Sequence, residues 1–368
     1  KISINDTMSG GNIGDTDIID ERLLVRDMNN DETGKSVNFM DLNAFQSGNL
    51  GFEVMGTTSN AYLGMSVSYG SLNNDVYSDI IIGASGGDSG KGNVFIIYGK
   101  ISIFQTIEAT NIVSPIGYKI KGAVTDDNCG WTVHGEGDYN NDEIGDILIG
   151  CPLADPNSMT NAGQVWVIYG KTGSNQGTIT ISTSDLQYTT GFRITGPATG
   201  DQLGNSVAFV GDVNGDDIDD IIIGAGLADR SNPVATNSGK AWVIYGRSTA
   251  ITQPMQLSTF VRGYSTGFLI IGALTGDVAG GAVAGAGDFN GDGLNDILVG
   301  STESDLGGRL GAGATYLIFG ENASAAPTRV PTIMPSRLPS YNPTVVPSTD
   351  PSVSPTAIPS RPTTVPTV

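Results

Sequence analysis

Histidine, cysteine and basic residues are all scarce in this chain, and each shortage excludes a class of function. The 368 residues include one histidine, His134, and two cysteines. That supply is too small for a zinc site, and a Ser-His-Asp triad would have to use His134, which lies in a predicted strand. Lys and Arg number 18 against 38 Asp and Glu, a formal net charge of −20, whereas nucleic-acid-binding surfaces are basic. We therefore expect neither an enzyme nor a nucleic-acid-binding protein.

Long apolar runs and helical patterns are missing as well. No segment is long and apolar enough to span a bilayer, so we expect no membrane insertion of this chain. No run of ten or more residues carries apolar side chains at a helical period. The apolar residues instead form short segments, rich in β-branched and aromatic side chains and bounded by Gly, which is a pattern typical of strands.

Four such segments recur in the same order in four repeats, which span residues 51–99, 117–170, 191–246 and 267–320. The third segment of each repeat is apolar on both faces, so it has to be covered on both sides. Radially stacked sheets provide that cover, whereas a lone four-stranded sheet does not. The sequence therefore predicts an all-β protein, a β-propeller of four-stranded antiparallel blades with one blade per repeat.

A nine-residue acidic loop joins the second and third predicted strands of the last three repeats. Oxygen-bearing side chains occupy positions 1, 3, 5 and 9 of each loop. A hard cation such as Ca²⁺ takes six to eight oxygen ligands, several of them carboxylate, and position 7 of such loops contributes its main-chain carbonyl. We predict three calcium sites with these ligands: Asp138, Asn140, Asp142, Ile144 and Asp146; Asp212, Asn214, Asp216, Ile218 and Asp220; Asp288, Asn290, Asp292, Leu294 and Asp296.

A degenerate loop in the first repeat is a weaker candidate for a fourth site. It offers Asn73, Asp75 and Asp79, but Ser71 stands at position 1, where the other loops have Asp. None of the loops has the Glu at position 12 that tightens an EF-hand. Sites that bind calcium at ~10⁻⁴–10⁻³ M fill only where calcium is millimolar, so we expect an extracellular or cell-surface protein.

The motifs of these repeats resemble those of a known family. The order Phe-x-x-x-Gly, then Gly-Asp-x-Asn-Gly-Asp-x-x-x-Asp-Ile-Ile-Ile-Gly-Ala, then Val-Ile-Tyr-Gly is similar to the FG-GAP repeat of the integrin α-subunit N-terminal β-propeller, over about residues 51–320. The resemblance implies a cell-adhesion or ligand-recognition module that binds a protein or glycan ligand through loops at one face. It also implies a structural role for calcium, and a second subunit as a partner is left open. Propellers of the family usually have seven blades, whereas this chain has four complete repeats.

Two other functions stay open beside adhesion. One is an accessory, non-catalytic propeller of a secreted phospholipase or polysaccharide-degrading enzyme, and the other is a lectin-like glycan-binding module. The accessory role requires a further catalytic domain with its own acid/base or metal residues, and none is visible in this sequence.

The two ends of the chain differ from the repeats, which with their flanks occupy 51–324. Residues 1–50 resemble a partial or degenerate repeat, which leaves a fragment of a larger ring and a closed five-bladed propeller as alternatives. In residues 325–368 Pro recurs about every fourth position among Ser and Thr. That composition predicts a disordered, polyproline-II-like segment, either a glycosylated stalk or a plain linker.

Two features bear on covalent modification. Cys129 and Cys151 flank the Asp138 loop, and the sequence leaves open whether they form a disulfide or stay as two buried thiols. Asn5 and Asn322 match the acceptor pattern for N-glycosylation, as a glycoprotein would require.

Overall fold

The computed structural model describes residues 51–100, 106–182, 189–263, 265–305 and 309–322. The predicted partial repeat 1–50 and the predicted disordered tail 325–368 lie outside the described residues, so both stay predictions. The strands are β1 (Val54–Met55), β2 (Leu63–Gly70), β3 (Asp79–Ala84), β4 (Asn93–Ile97), β5 (Ile107–Glu108), β6 (Gly117–Gly122), β7 (Thr132–Gly137), β8 (Asp146–Cys151), β9 (Gln164–Ile168), β10 (Ile179–Ile181), β11 (Gly191–Thr195), β12 (Ser206–Gly211), β13 (Asp220–Ala225), β14 (Arg230–Ser231), β15 (Val234–Ala235), β16 (Lys240–Ile244), β17 (Met255–Gln256), β18 (Gly267–Ile271), β19 (Ala279–Gly287), β20 (Asp296–Ser301) and β21 (Ala314–Ile318).

Helical structure in the described part is limited to single turns. They are a four-residue turn at Gly87–Gly90 and 3₁₀ turns at Ala109–Asn111, Pro156–Ser158 and Leu257–Thr259. Accordingly, no helix among the described residues has the length and apolar character needed to cross a membrane.

Four antiparallel sheets contain most of the strands. Their strand orders are β2-β3-β4-β6, β7-β8-β9-β11, β12-β13-β16-β18 and β19-β20-β21. The first three strands of each sheet come from one repeat, and the outer strand of the first three sheets comes from the next repeat; β18, for example, pairs with β16. Sheets and sequence repeats are therefore offset by one strand. The repeating sequence does not reveal this offset, because any strand of the repeat can be counted as the first strand of a sheet.

Short strands that the sequence pattern did not predict extend two of these sheets, and another forms a separate two-stranded sheet with β1. β5, β10 and β17 pair in parallel with β1, β6 and β11, respectively. They are only two or three residues long, which is too short to carry a period of alternating side chains. β10 and β17 give the outer strands β6 and β11 a partner on the side that faces away from the sheet.

The sheets stack face to face in chain order, with the inner strands β2, β7, β12 and β19 next to one another. Apolar clusters fill the spaces between successive sheets, as where Ile81 of the first sheet meets Ile149 of the second, or Ile222 of the third meets Val299 of the fourth. The third predicted strand is covered on both faces, since every residue of β8 and of β13 is buried. This all-β arrangement fits the predicted β-propeller.

Side-chain hydrogen bonds join the inner strands of neighbouring sheets. The Val133 N–H donates to Ser66 Oγ (3.0 Å), and the Val283 N–H donates to Ser206 Oγ (2.9 Å). His134 Nδ1 accepts the Phe209 N–H (3.3 Å), so the only histidine has a structural contact between the second and third sheets. These bonds link sheets that are not paired strand to strand.

The glycine one residue before the end of the third strand permits the close approach of the first three sheets to the sheets that follow them. A Cβ at Gly83, Gly150 or Gly224 would overlap a main-chain carbonyl oxygen of the next sheet. At Gly300, in the last described sheet, the nearest heavy atom would be 3.4 Å away, which is ordinary contact. The close stacking of the sheets thus explains the glycine in the recurring Ile-Ile-Ile-Gly motif.

The two cysteines form a disulfide, which settles the alternative left open by the sequence. Cys129 and Cys151 have Cα atoms 4.1 Å apart and are buried in the apolar cluster between the first and second sheets. The bond closes a loop that contains the whole hairpin carrying Asp138–Asp146. It therefore ties together the two strands that position that loop.

Candidate calcium-binding loops

The four acidic loops are the hairpin connections of the inner strands, as predicted: β2–β3, β7–β8, β12–β13 and β19–β20 are antiparallel pairs. We call them loop 1 (71–79), loop 2 (138–146), loop 3 (212–220) and loop 4 (288–296). Position 4 is left-handed in every loop and is always Asn or Gly: Asn74, Asn141, Gly215 and Gly291. These residue types tolerate a positive φ, so the sequence itself sets the tight turn.

The Asp at position 1 organises the turn in loops 2, 3 and 4. In loop 3, Asp212 Oδ1 accepts the Asp216 N–H (3.2 Å) and Asp212 Oδ2 accepts the Asp217 N–H (2.8 Å). Asp138 and Asp288 make the same two contacts in their loops. Loop 1 has Ser71 in this place, and its shorter side chain cannot offer two carboxylate oxygens.

The Asp at position 9 is fully buried and has the same two partners in all four loops. Asp220, for example, accepts the N–H of Val213 at position 2 (3.0 Å) and the N–H of Gly246 after the fourth strand of the repeat (2.8 Å). The equivalent residues are Asp79, Asp146 and Asp296, all 0% exposed. Position 9 therefore joins the loop to the neighbouring strand end through two main-chain hydrogen bonds.

Electrostatics in loops 2 and 3 disfavour the ionised form of the acid at position 9. Burial raises the pKa of Asp146 to about 8, and the like charges of Asp138 and Asp142 add to the effect, against the two main-chain hydrogen bonds. Burial likewise raises the pKa of Asp220 to about 8, with further contributions from Asp216 and Asp212. A divalent cation among these carboxylates would offset both the repulsion and the loss of solvation.

Positions 3, 5 and 7 complete the predicted ligand set. The amide of Asn140 donates to Asp142 Oδ2 (2.9 Å), and Asp142 is exposed at the tip of the turn. The side chain of Ile144 packs on Gly170, where a Cβ would clash with it, so position 7 contributes to the loop only through its main chain. A surface cavity of about 400 Å³ lies beside loop 2, lined by Asn140, Asp142 and Ile144 together with Tyr169 and Lys171.

The donor set fits Ca²⁺ in kind. Each full loop brings three carboxylates, one amide oxygen and a main-chain carbonyl onto a single turn, and these are oxygen ligands of the kinds that Ca²⁺ takes. In the described part of the chain, no three acidic, histidine or cysteine side chains already converge as a metal-binding group. The loops thus supply the right ligands, while the individual ligand assignments stay predictions.

The loops also contact one another from sheet to sheet. The N–H of position 8 in loop 2, Gly145, donates to the carbonyl of Ser71 in loop 1 (2.8 Å), and Asn295 in loop 4 donates to Asp212 in loop 3 (2.8 Å). Loops 2 and 3 are linked by the carboxylate of Asp219, which accepts the Asp138 N–H (2.9 Å). The acidic loops therefore form one continuous series along the stacked sheets.

Two residue roles were missed from the sequence. The structural role of the buried Asp79 could have been inferred from the sequence, because loop 1 keeps Asp at position 9 although it has Ser at position 1. The contact of Asp219 has no local signal, because its partner lies 81 residues away.

Comparison with known proteins agrees with this architecture. The family model of the FG-GAP repeat matches residues 203–244 and 279–318, which contain loops 3 and 4. Integrin alpha-8 of Mus musculus is 26% identical over 55% of this chain and 18% of its own length, and integrin alpha-5 of Xenopus laevis is 25% identical over 66% and 20%. Phosphatidylinositol-glycan-specific phospholipase D of Bos taurus is 29% identical over 45% of this chain and 19% of its own length.

These matches define the class first: residues 203–244 and 279–318 are FG-GAP repeats. The chain is integrin-α-like, with 24–26% identity to integrin α-subunits over the matched residues. The chain spans about a fifth of the length of these curated relatives.

Proposed function

We propose that this chain is an extracellular, calcium-stabilised propeller module that recognises a protein or glycan ligand and does no chemistry. The observation that carries the proposal is the series of acidic loops, which link consecutive sheets and hold repelling carboxylates. Calcium would be structural: it would offset that repulsion and rigidify one end of the sheets.

The calcium part of the proposal is tested by a matched pair of substitutions within loop 3. Asp216→Asn changes a predicted ligand, and Asp217→Asn changes an equally exposed neighbour that is not one. Isothermal titration should show about three bound calcium ions for the wild type and for Asp217→Asn, and one fewer for Asp216→Asn. Unchanged stoichiometry in Asp216→Asn would refute the ligand assignment.

Thermal unfolding gives an independent measure of the structural role. An ion that binds only the folded chain stabilises it by about 2.7 kcal/mol per site at 100 times its Kd. The melting temperature should therefore rise on calcium addition at fixed ionic strength and fall again with a chelator. A melting temperature that changes neither on calcium addition nor with the chelator would show that calcium has no structural role.

Further blades are expected beyond the four described sheets. Val67 in the inner strand of the first sheet is 67% exposed, whereas its counterparts Val133 and Val207 are 5% and 6% exposed because a preceding sheet covers them. We infer that another blade packs on this face in a closed ring. Electron microscopy of the full-length protein should show a ring with a central axis, and an open array of sheets would contradict closure.

The ligand-binding face is proposed to lie at the ends of the sheets opposite the acidic loops. The connections that enter the inner strands there expose aromatic side chains, Tyr62 (63%) and Trp131 (37%). Such residues are enriched where proteins bind partners. Capture of extracellular-matrix proteins or arrayed glycans by the chain should weaken in Trp131→Ala and not in Val76→Ala, which changes an exposed residue of loop 1. Equal loss in both variants would contradict this face.

The similarity to a phosphatidylinositol-glycan-specific phospholipase D supports one second candidate, an accessory propeller of a secreted enzyme. The two functions differ in what lies elsewhere in the full-length protein. A catalytic domain in the same polypeptide would favour the accessory role, and a partner subunit that copurifies through the chain would favour the adhesion role. Hydrolysis of a glycosylated phosphatidylinositol by this chain alone would overturn the proposal that it is not an enzyme.

A further inference from the structure

Loop 3 differs from the other loops by a charged residue at position 8. The residues at this position are Ser78, Gly145, Asp219 and Asn295 in chain order. Gly145, Asp219 and Asn295 each lie where their loop meets the preceding one. Of the four residues at position 8, Asp219 alone has a carboxylate, and it is half-buried.

The carboxylate of Asp219 holds the first residue of loop 2. Its Oδ2 accepts the Asp138 N–H at 2.9 Å, across 81 residues of sequence. Asp138 is the predicted position-1 ligand of loop 2, and its own carboxylate organises that loop by accepting the N–H groups of Asp142 and Glu143. Anything that fixes Asp219 therefore restrains the residue on which the turn of loop 2 depends.

Asp219 is also fixed from within loop 3. It lies between Ile218 and Asp220, at positions 7 and 9, both of which are predicted calcium ligands of loop 3. Asp220 is in addition anchored to Val213 and Gly246 by main-chain hydrogen bonds. A cation in loop 3 would hold both neighbours of Asp219 and so limit where its side chain can point.

Charge couples the same residues. The carboxylate of Asp219 is close enough to those of Asp138 and Asp212 to be repelled by both. Asp138 and Asp212 are the position-1 ligands of the two loops. A cation in either loop would relieve part of this repulsion and strengthen the contact between Asp219 and Asp138.

We propose that Asp219 is a positioning residue that couples calcium binding at loops 2 and 3, so that each ion raises the affinity for the other. The inference rests on the proposed calcium role of the loops. Coupling between sites is reciprocal and typically amounts to a factor of about 5 to 150 in affinity. The junction between loops 3 and 4 has the neutral Asn295 in the same place, so it serves as an internal comparison.

A loop-resolved calcium titration of the full chain tests the proposal. Hydrogen–deuterium exchange measured by mass spectrometry reports the protection of loop 2 as calcium is added, so the midpoint can be read for that loop alone. Asp216→Asn disables loop 3, and Asp292→Asn disables loop 4 as the matched control. We expect Asp216→Asn to move the loop 2 midpoint to about fivefold higher calcium or more, and Asp292→Asn to leave it in place.

The same titration in Asp219→Ala completes the cycle. Loop 2 should bind more weakly in Asp219→Ala, and adding Asp216→Asn should then have no further effect on it. If Asp219→Ala does not fold, Asp219→Asn replaces it, because Asn is accepted at this position in loop 4; the neutral acceptor should give weaker coupling than the carboxylate. An undiminished effect of Asp216→Asn in either background overturns the role of Asp219.

The outcomes separate this inference from the function on which it rests. If calcium protects no loop of the wild type, both the structural calcium and the coupling are refuted. If calcium protects loops 2 and 3 but Asp216→Asn does not move the midpoint of loop 2, the sites are independent and only the coupling is refuted.

Discussion

Asp79 provides a test of whether the acidic loops need metal for their shape. It occupies position 9 of loop 1, the loop that has lost the Asp at position 1. Its side chain is 0% exposed and accepts two main-chain N–H groups, from Leu72 (2.9 Å) and Gly99 (2.9 Å). The substitution Asp79→Ala removes both acceptor oxygens and leaves the two N–H groups without a partner.

The expected cost follows from those two donors. A buried main-chain N–H left without a partner costs about 1–3 kcal/mol, so Asp79→Ala should lower the free energy of unfolding by about 2–6 kcal/mol. Asp75→Ala is the matched control in the same loop, because Asp75 is exposed and its loss should cost less than about 1 kcal/mol.

The assay is urea denaturation in an excess of chelator, so that no metal contributes to either variant. The slope of free energy against urea should stay unchanged while the midpoint falls. If Asp79→Ala unfolds within about 0.5 kcal/mol of the wild type under these conditions, the main-chain hydrogen bonds of position 9 do not hold the loop, and its acid would have to be explained by metal alone.

Three further predictions concern the frame around the loops. Gly224→Ala should destabilise by about 1–3 kcal/mol because its Cβ would force two sheets apart, while Gly300→Ala, whose Cβ would make only ordinary contacts, should stay within about 0.5 kcal/mol; equal costs by chemical denaturation would contradict the stacking argument. Replacing both Cys129 and Cys151 by Ala should cost about 2–5 kcal/mol by the same measurement, and a cost near zero would show that the disulfide adds nothing to the hairpin. His134 should give a single histidine NMR titration with a pKa below the ordinary 6.5, because burial disfavours its charged form. The unfolded chain then binds that proton more readily, so the contribution of neutral His134 to stability is present above pH 6.5 and is lost as the pH falls through the folded pKa. A titration midpoint at or above 6.5 would refute the prediction.

The acids of these loops therefore have two physical explanations that act together. Positions 1 and 9 carry hydrogen bonds that shape the turn, as Asp212 and Asp220 show, and the same oxygens can serve a cation. Position 5 is different, since Asp216 is exposed and its main-chain contact is local. For this reason position 5 is the most informative ligand to change in a binding experiment, and position 9 is the most informative in a folding experiment.

The fold class and the hairpin loops could be predicted because their signals are local. Short apolar segments bounded by Gly predict strands, and a third strand apolar on both faces predicts stacked sheets; buried strands β8 and β13 agree with both. The nine-residue spacing of acids between the second and third strands placed the hairpin connections correctly. The edge strands such as β10 were not predicted, because three residues carry no period.

Sequence by itself determined the repeat, the strand pattern, the Asn or Gly that turns each loop and the supply of oxygen ligands, since each depends on residues that are neighbours in the chain. Tertiary structure alone decided which sheet the first strand of a repeat joins, that Cys129 and Cys151 bond, and that Asp219 holds Asp138. The physical reason is that these outcomes depend on contacts between segments tens of residues apart. Such contacts form only when whole sheets stack, and no local propensity encodes them.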